Sequence, residues 1–246
     1  MVGDRAGRSE VRPALLRTRP TPPAELARDR QRALALAPVS RETAERLDRF
    51  VSLLLDWQQR INLIAPSTEP VLWTRHIADS LQLLALAPEA RLWADLGSGA
   101  GFPGLVIACA LADRPGALVH LVEGNAKKAT FLREAVRVTN APAMVHELRV
   151  ADFAKKAPQD IEAVTARAFA PLSELLAAAY PLLKTGAVGV FPKGQNLDAE
   201  LTEAAKCWRF QQTLAASRTD PKARIIVVRS LEPIPGTQAK RNLTKR

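Results

Sequence analysis

The chain has 246 residues, of which 47% are hydrophobic, and its 35 Lys and Arg against 25 Asp and Glu give a formal net charge of +10. No apolar run reaches the roughly 18 residues of a membrane helix and no secretory pattern opens the sequence, so we expect a soluble cytoplasmic protein. Cys109 and Cys207 lack CxxC spacing and neighbouring histidines, which argues against a disulfide framework and a metal site. The positive charge favours a polyanionic partner such as nucleic acid.

The N-terminal stretch, residues 1–38, is rich in arginine and proline and has little periodic apolar content. This composition predicts a basic arm that is mostly disordered. A short helix over Ala24–Ala37 is one alternative, and a start of translation further along the chain is another.

Residues 39–88 are predicted to form a helical cap. Ser40 is typical of a helix N-cap, and apolar residues recur at helical spacing from Leu47 to Trp57. The segment Arg60–Pro66 interrupts that helix, and a second apolar helix is predicted from Val71 to Leu86. Polar residues in this region could be ordinary surface or capping groups, or part of a site: Asn62, Arg75, His76, Asp79 and Ser80.

Residues 89–232 alternate between short apolar runs and amphipathic stretches, which predicts a doubly wound α/β domain. The predicted strands are 91–96, 117–122, 142–150, 161–167, 186–192, 206–215 and 224–231. The predicted helices are 103–113, 125–139, 171–183 and 195–205. A hairpin through Ser217–Lys222 should make one of the last two strands antiparallel to its neighbours. Residues 233–246 are predicted to be a flexible basic tail.

A glycine loop follows the first predicted strand, with glycines at 97, 99, 101 and 104 after Asp95. Glycine accepts positive φ and lets a ligand approach the backbone closely. A dinucleotide fold carries GxGxxG, whereas the spacing here is DxGxGxG, which is typical of S-adenosylmethionine-dependent methyltransferases. Glu123 ends the next strand, where a carboxylate can accept hydrogen bonds from ribose hydroxyls.

Ligands of open α/β sheets bind outside the carboxyl ends of the strands. The segments expected there are Asp95–Gly104, Glu123–Lys128, Val150–Phe153, Arg167–Pro171 and Lys193–Gln195. Arg167 is informative because a guanidinium among small apolar neighbours needs an anion or a carboxylate. A salt bridge internal to the fold is the alternative explanation. Lys193 is a similar cation at the end of a buried strand.

The sequence also lacks two devices of other methyltransferases. The loop after the fourth strand has no Asn-Pro-Pro-aromatic motif, which orients exocyclic amines, and neither cysteine lies where it could attack a pyrimidine C5. Guanine N7 needs neither device, because its lone pair is free and carries no proton. Positioning against the sulfonium methyl could then supply most of the rate.

Between residues 40 and 235 the sequence resembles the bacterial 16S ribosomal RNA guanine-N7 methyltransferase family, also called glucose-inhibited division protein B. The residues that carry the resemblance are Trp57, Asn62-Leu63, Arg75-His76, Asp79-Ser80-Leu81, Asp95–Gly104, Glu123, Lys127-Lys128, Phe131-Leu132, Arg167-Ala168-Phe169, Lys193-Gly194 and Arg224. The glycine loop is common to many methyltransferases, whereas Arg-His-x-x-Asp-Ser combined with Gly-Phe-Pro-Gly is specific to this family.

The resemblance implies a class I methyltransferase fold, with a seven-stranded, mostly parallel sheet and an N-terminal helical cap. It also implies methyl transfer from S-adenosylmethionine to N7 of a guanine in the 530 loop of 16S rRNA, position 527 in ribosomal numbering. The expected partner is 16S rRNA or the small ribosomal subunit, with no membrane and no metal, and we expect a monomer.

The site residues follow from the glycine loop and the resemblance together. Expected methyl donor contacts are Asp95, Gly97, Gly99, Gly101, Phe102, Glu123, Val150, Ala151 and Arg167. Expected RNA contacts are Arg75, Lys127, Lys193 and Arg224. Arg167, Lys193 and Arg75 are the expected catalytic residues.

Two other functions fit parts of the sequence. A catalytically silent RNA-binding or ribosome assembly factor could keep the same fold, although the intact glycine loop argues against decay. A nicotinamide dehydrogenase would need GxGxxG and a proton-relaying Tyr or His. The one tyrosine, Tyr180, lies in a predicted helix, and His76 fits an orienting residue or cap better than a general base.

Overall fold

A seven-stranded sheet forms the centre of the computed structural model, which describes residues 21–237. The strands are β1 Leu92–Leu96, β2 Leu118–Val122, β3 Ala143–His146, β4 Ala163–Thr165, β5 Val188–Lys193, β6 Trp208–Ala216 and β7 Arg224–Pro233. Their order is β3-β2-β1-β4-β5-β7-β6. β1 to β5 are parallel, and β7 is antiparallel to both β5 and β6. The predicted fold class and terminal hairpin are confirmed.

Helices cover both faces of this sheet. They are α1 Pro23–Leu36, α2 Arg41–Gln58, α3 Asp79–Leu81, α4 Gly104–Leu111, α5 Ala126–Thr139, α6 Val150–Lys156, α7 Leu172–Leu183 and α8 Leu197–Ala205. One core joins α1, α2, α4 and α5 to the sheet. A second core joins α6, α7 and α8 to the opposite face. Because the central strands are covered on both sides, they read as continuous apolar runs in the sequence.

Helix α2 begins as the sequence predicts, since Ser40 Oγ accepts a hydrogen bond from Thr43 N at 3.1 Å. The predicted helix from Val71 to Leu86 is not a regular α-helix. A 3₁₀ turn Pro66–Val71 precedes a π-helical turn Trp73–Ala78, which passes through α3 into a 3₁₀ turn Gln82–Leu86. We call the run from Trp73 to Leu86 the mixed helix. Its apolar spacing is helical, but spacing does not specify the hydrogen-bond pattern.

The predicted strand 142–150 is too long, and helix α6 was not predicted. β3 ends at His146, and α6 begins at Val150. This helix has only seven residues, and Phe153 is its single buried residue. One buried residue gives no apolar periodicity, so the sequence pattern could not reveal it.

Helix α1 lies within the segment that was predicted to be a disordered arm. The predicted basic arm covered residues 1–38, of which 1–20 lie outside the described residues, as do residues 238–246 of the predicted tail. Over the described part the arm prediction differs from the structure, and the alternative, a helix over Ala24–Ala37, agrees with it.

Helix α1 packs against the mixed helix through a buried acid. The Asp29 carboxylate accepts hydrogen bonds from Thr74 N at 3.0 Å and Thr74 Oγ1 at 2.5 Å. The next residue, Arg30, lies over the Trp73 ring at 5.3 Å.

Among the helices formed by residues 21–237, none has the length and apolarity needed to cross a bilayer.

The contact between α1 and the mixed helix leads to a stability prediction. Asp29→Ala should lower the free energy of unfolding by about 1–3 kcal/mol, because it leaves the buried Thr74 N–H and hydroxyl without their acceptor. Denaturant titration measures the change. The exposed neighbour Arg28→Ala is the control and should change stability by less than about 0.5 kcal/mol. Equal effects of the two variants would contradict a structural role for this carboxylate.

Candidate active site

The glycine loop closes over the carboxyl ends of β1 and β2. Gly97, Gly99 and Gly101 have φ of 76°, 55° and 89°, so all three adopt the positive φ that the glycine spacing indicated. Gly97 N donates to Val122 O at 2.9 Å. Gly99 N donates to Glu123 Oε2 at 2.8 Å. The carboxylate that follows β2 therefore holds the loop that follows β1.

Asp95 lies beneath this loop and is fully buried. Its Oδ2 accepts a hydrogen bond from Gly104 N at 3.0 Å, while its buried Oδ1 has no hydrogen-bond partner. A Cβ on Gly104 would lie 2.6 Å from Asp95 Oδ2 and 2.5 Å from Leu121 Cδ2, so this approach requires glycine. Burial raises the pKa of Asp95 to about 7. Asp95 thus stabilises the loop through its hydrogen bond from Gly104 N, and it lines neither of the two cavities described next.

The first cavity, the loop pocket, has a volume of about 590 Å³. Its lining residues are Gly97, Glu123, Gly124, Arg149, Val150, Ala151, Asp152, Lys155 and Phe169. Four of the predicted donor contacts thus meet in one cavity, and the first turn of α6 brings two of them there. Glu123 is half-buried, and its Oε1 accepts from Asn125 N at 2.8 Å. Each carboxylate oxygen has two lone pairs, so both can still accept from a ligand.

The second cavity, the basic cleft, has a volume of about 410 Å³. It is lined by four of the predicted cations: Arg75, Arg167, Lys193 and Arg224. Lys127 does not join them, because it lies exposed in the first turn of α5 and lines neither cavity.

Each cation of the basic cleft has a carboxylate near it. Lys193 Nζ lies 2.5 Å from Glu200 Oε2. Arg224 Nη2 lies 2.6 Å from Asp198 Oδ2, and Arg75 Nη1 lies 3.8 Å from Asp220 Oδ2. These acids were not predicted from the sequence. A signal was present, since Asp198 and Glu200 lie in the first turn of a helix directly after Lys193.

Arg167 contacts three residues of the mixed helix. Its Nη2 lies 2.7 Å from His76 Nδ1, and its Nη1 lies 3.4 Å from Asp79 Oδ2 and 3.2 Å from Arg75 O. Its guanidinium also covers the Phe102 ring at 5.2 Å. The internal salt bridge that the sequence left as an alternative is therefore present. The side chain of Arg167 nevertheless stays 19% exposed and lines the basic cleft, so a ligand in the cleft could reach it.

His76 and Phe102 support Arg167 from inside. The two rings stack with centroids 4.8 Å apart, and Phe102 is buried rather than open to either cavity. Burial, with the charge of Arg167, lowers the pKa of His76 to about 3. The ring is then neutral at physiological pH, so Nδ1 accepts from Arg167 while Nε2 contacts Thr68 Oγ1 at 2.9 Å. His76 therefore contacts Arg167 and lines neither cavity.

The β6–β7 hairpin closes the basic cleft against the mixed helix. Thr219 Oγ1 donates to Asp79 Oδ1 at 2.7 Å, and Arg218 N donates to Gln82 Oε1 at 2.8 Å. Asp79 therefore holds Arg167 with one oxygen and the hairpin with the other. The sequence gave no signal for Gln82 or Thr219, because contacts over more than 130 positions depend on the folded chain.

The groups needed by other chemistries lie elsewhere. Cys109 is buried in α4, and Tyr180 packs on Trp208 with ring centroids 5.5 Å apart. Neither lines the loop pocket or the basic cleft. Within residues 21–237 no group of three His, Cys, Asp or Glu side chains is arranged to hold a metal ion.

Known proteins with high sequence identity to this chain cover most of its length. A family model described as GidB, rRNA small subunit methyltransferase G, matches residues 43–225. The chain is 59% identical over 208 residues to a Bradyrhizobium sp. (strain ORS 278) protein, covering 85% of this chain and 94% of the relative. It is 54% identical over 212 residues to a Rhodopseudomonas palustris (strain BisB18) protein, covering 86% and 91%. Both relatives are named ribosomal RNA small subunit methyltransferase G.

Solved structures share the fold at low sequence identity. A putative O-methyltransferase from Klebsiella pneumoniae is 12% identical with a TM-score of 0.54, covering 83% of this chain and 96% of that chain. The O-methyltransferase TomG from Streptomyces achromogenes, solved with SAM, has the same identity, TM-score and coverage. These likenesses support the class I methyltransferase fold.

Buried Asp95 leads to a prediction about stability and pH. Its folded pKa of about 7 lies above its usual value of 3.8, so the native state binds the proton more tightly and loses stability as pH rises from about 4 to about 7. Asp95→Asn keeps an acceptor for Gly104 N but cannot ionise. The free energy of unfolding of the variant, relative to that of wild type, should therefore rise by more than about 1 kcal/mol between pH 4 and pH 7.

Denaturant titrations of both proteins across this pH range measure the difference. Asp95→Ala is the control, because it loses the acceptor for Gly104 N and should be destabilised even at pH 4. A stability difference between Asp95→Asn and wild type that stays constant with pH would contradict the raised pKa.

Proposed function

This chain belongs to the GidB family of ribosomal RNA small subunit methyltransferases, and we propose that it transfers the methyl group of S-adenosylmethionine to N7 of a guanine in the 530 loop of 16S rRNA. The observation that carries the proposal is the adjacency of two different cavities. The loop pocket has a carboxylate and a glycine turn, whereas the basic cleft has four cations, and both meet at Phe169.

The loop pocket fits S-adenosylmethionine. The Glu123 carboxylate suits ribose hydroxyls, and Gly97 leaves the pocket floor without a side chain. Val150 and Ala151 offer apolar surface and backbone for the adenine. When bound, this donor supplies a methyl group on a positively charged sulfur, which an uncharged nitrogen can attack.

The basic cleft fits the RNA. Arg75, Lys193 and Arg224 can exchange their carboxylate partners for phosphate oxygens, with release of counterions from the RNA, whereas Arg167 keeps Asp79 and presents the exposed part of its side chain. We assign Arg167, Lys193 and Arg75 to holding the guanine and its phosphates in line with the donor. Lys127 would touch RNA only at the margin, beyond both cavities.

Guanine N7 is the acceptor that best suits these residues. Among the described residues that line either cavity, none is a cysteine or a histidine. His76 is held neutral by a pKa of about 3 and faces Arg167, so it is not free to remove a proton. N7 has no proton to lose, and positioning is then the main task of the protein.

The donor assignment is tested by binding. Calorimetry should show S-adenosylmethionine and its demethylated product binding in preference to NAD. Gly99→Val should abolish donor binding, because a β-branched residue is strained at φ 55° and Gly99 N holds Glu123. Gly116→Val is the matched control, since Gly116 also has positive φ, at 75°, with open space around it, but lies in the turn before β2. Tight NAD binding without a response to either sulfur ligand would refute the assignment.

The acceptor assignment is tested by pH. Single-turnover methylation of small subunits at saturating donor should depend little on pH from about 6 to 9, because no base removes a proton. Ionisation of Asp95, whose pKa is about 7, could change the affinity for the donor in this pH range. A saturating donor concentration keeps such a change from affecting the measured rate. Mass spectrometry should identify N7-methylguanosine. A log-linear rise in rate, or a methyl group on an exocyclic amine or on C5, would show that the acceptor is wrong. Donor and RNA binding without methylation would indicate the silent assembly factor.

Arg167→Ala tests the positioning role. It should lower the single-turnover rate about tenfold to a hundredfold, because a charge-assisted contact worth about 1.5–3 kcal/mol is lost. Arg41→Ala removes the same charge from an exposed pair on α2 and should leave the rate unchanged. Rates are compared below the unfolding temperature of both variants, since Arg167 also stabilises the fold. A rate equal to that of wild type would exclude Arg167 from the site.

A further inference from the structure

Phe169 is an aromatic residue at the boundary of the two cavities. It is 38% exposed, whereas Phe102 of the glycine loop is buried. It lines both the loop pocket and the basic cleft. The methyl group must pass between these two cavities, so Phe169 lies at the boundary that the reaction crosses.

The backbone around Phe169 is specialised. Ala168 has φ of 52°, a left-handed conformation that residues other than glycine rarely adopt. Around this residue the chain turns Arg167 toward His76 and leaves Phe169 exposed. Strained residues of this kind persist where the surrounding structure holds them, often at ligand sites.

The Phe169 ring rests on the glycine loop. A Cβ added to Gly97 would lie 2.8 Å from Phe169 Cδ2, so the ring occupies space that only glycine leaves open. One side of the ring is thus supported by the floor of the loop pocket. The exposed part of the ring is available to a ligand in the basic cleft.

We propose that the target guanine stacks on Phe169 during methyl transfer. The inference rests on the proposed function and deepens it. A base drawn out of folded RNA loses its stacking neighbours, and an aromatic side chain can replace them. N7 lies on the edge of the purine, so stacking through the face leaves it free to point toward the loop pocket. The cations of the basic cleft then hold the flanking phosphates.

Three variants test the stacking. Phe169→Leu keeps an apolar side chain but removes the aromatic face, whereas Phe169→Tyr keeps the face. Met144→Ala is the control, because Met144 is 50% exposed on the edge strand β3, across the sheet from the basic cleft. Two quantities are measured: the half-saturating concentration of small subunits in single-turnover methylation at saturating donor, and donor affinity by calorimetry.

Phe169→Leu should raise the half-saturating subunit concentration or lower the rate about tenfold or more, the range expected for a lost base–aromatic contact. Phe169→Tyr and Met144→Ala should stay within about twofold of wild type, and donor affinity should stay within about twofold in all three. The proposal is overturned if Phe169→Leu equals wild type, or if Phe169→Tyr is as impaired as Phe169→Leu. It is also overturned if donor affinity falls together with activity, because Phe169 would then be a cover of the loop pocket.

The failure of the proposed function would look different. In that case wild type would produce no N7-methylguanosine. Stacking is then read from filter binding of small subunits in the presence of the demethylated donor product. A tenfold weaker affinity of Phe169→Leu supports stacking even without methylation, and an unchanged affinity overturns it.

Discussion

The structure depends on the paired contacts of Asp79 and Arg167. Asp79 belongs to the mixed helix, Arg167 follows β4, and Thr219 belongs to the β6–β7 hairpin. A buried carboxylate and a largely enclosed guanidinium are costly to leave unpaired away from water, so their contact favours the folded arrangement. Joining them fixes three segments that lie far apart in sequence. The basic cleft is the space that remains between these segments.

The loop pocket is built by a similar arrangement of carboxylates on backbone groups. Asp95 holds Gly104 from below, and Glu123 holds Gly99 and Asn125 from beside the loop. Asp95 is closed off from both cavities, while Glu123 remains half-exposed. The two acids at the ends of neighbouring strands therefore differ in role. Asp95, buried under the loop, only supports the backbone, whereas Glu123 supports the backbone and also faces the loop pocket.

Helix α1 extends this organisation to the N-terminal region. Its Asp29 binds the first turn of the mixed helix, directly before Arg75 and His76. A segment rich in charge and proline can still order when one buried carboxylate finds two donors. The helix is thereby connected to the residues around Arg167, although it lines neither cavity.

The sequence by itself determined the fold class, the succession of seven strands along the chain and the position of the glycine loop. Apolar periodicity and glycine spacing are local properties, and Asp95, Gly97, Gly99, Gly101 and Glu123 could be found from them. Arg167 and Lys193 were predicted from their positions at the ends of strands, and the resemblance added Arg75, Lys127 and Arg224. The tertiary structure brings four of these cations together and leaves Lys127 outside the cleft.

Only the tertiary structure decided which groups are partners. It ordered α1, replaced a regular helix by the mixed helix, and began α6 where a strand was predicted. It also buried Phe102 and exposed Phe169, two phenylalanines whose sequence neighbourhoods do not distinguish them in this respect. The physical reason is that burial, pKa shifts and pairing depend on distances across the folded chain, whereas sequence patterns report only on residues within a few turns of one another.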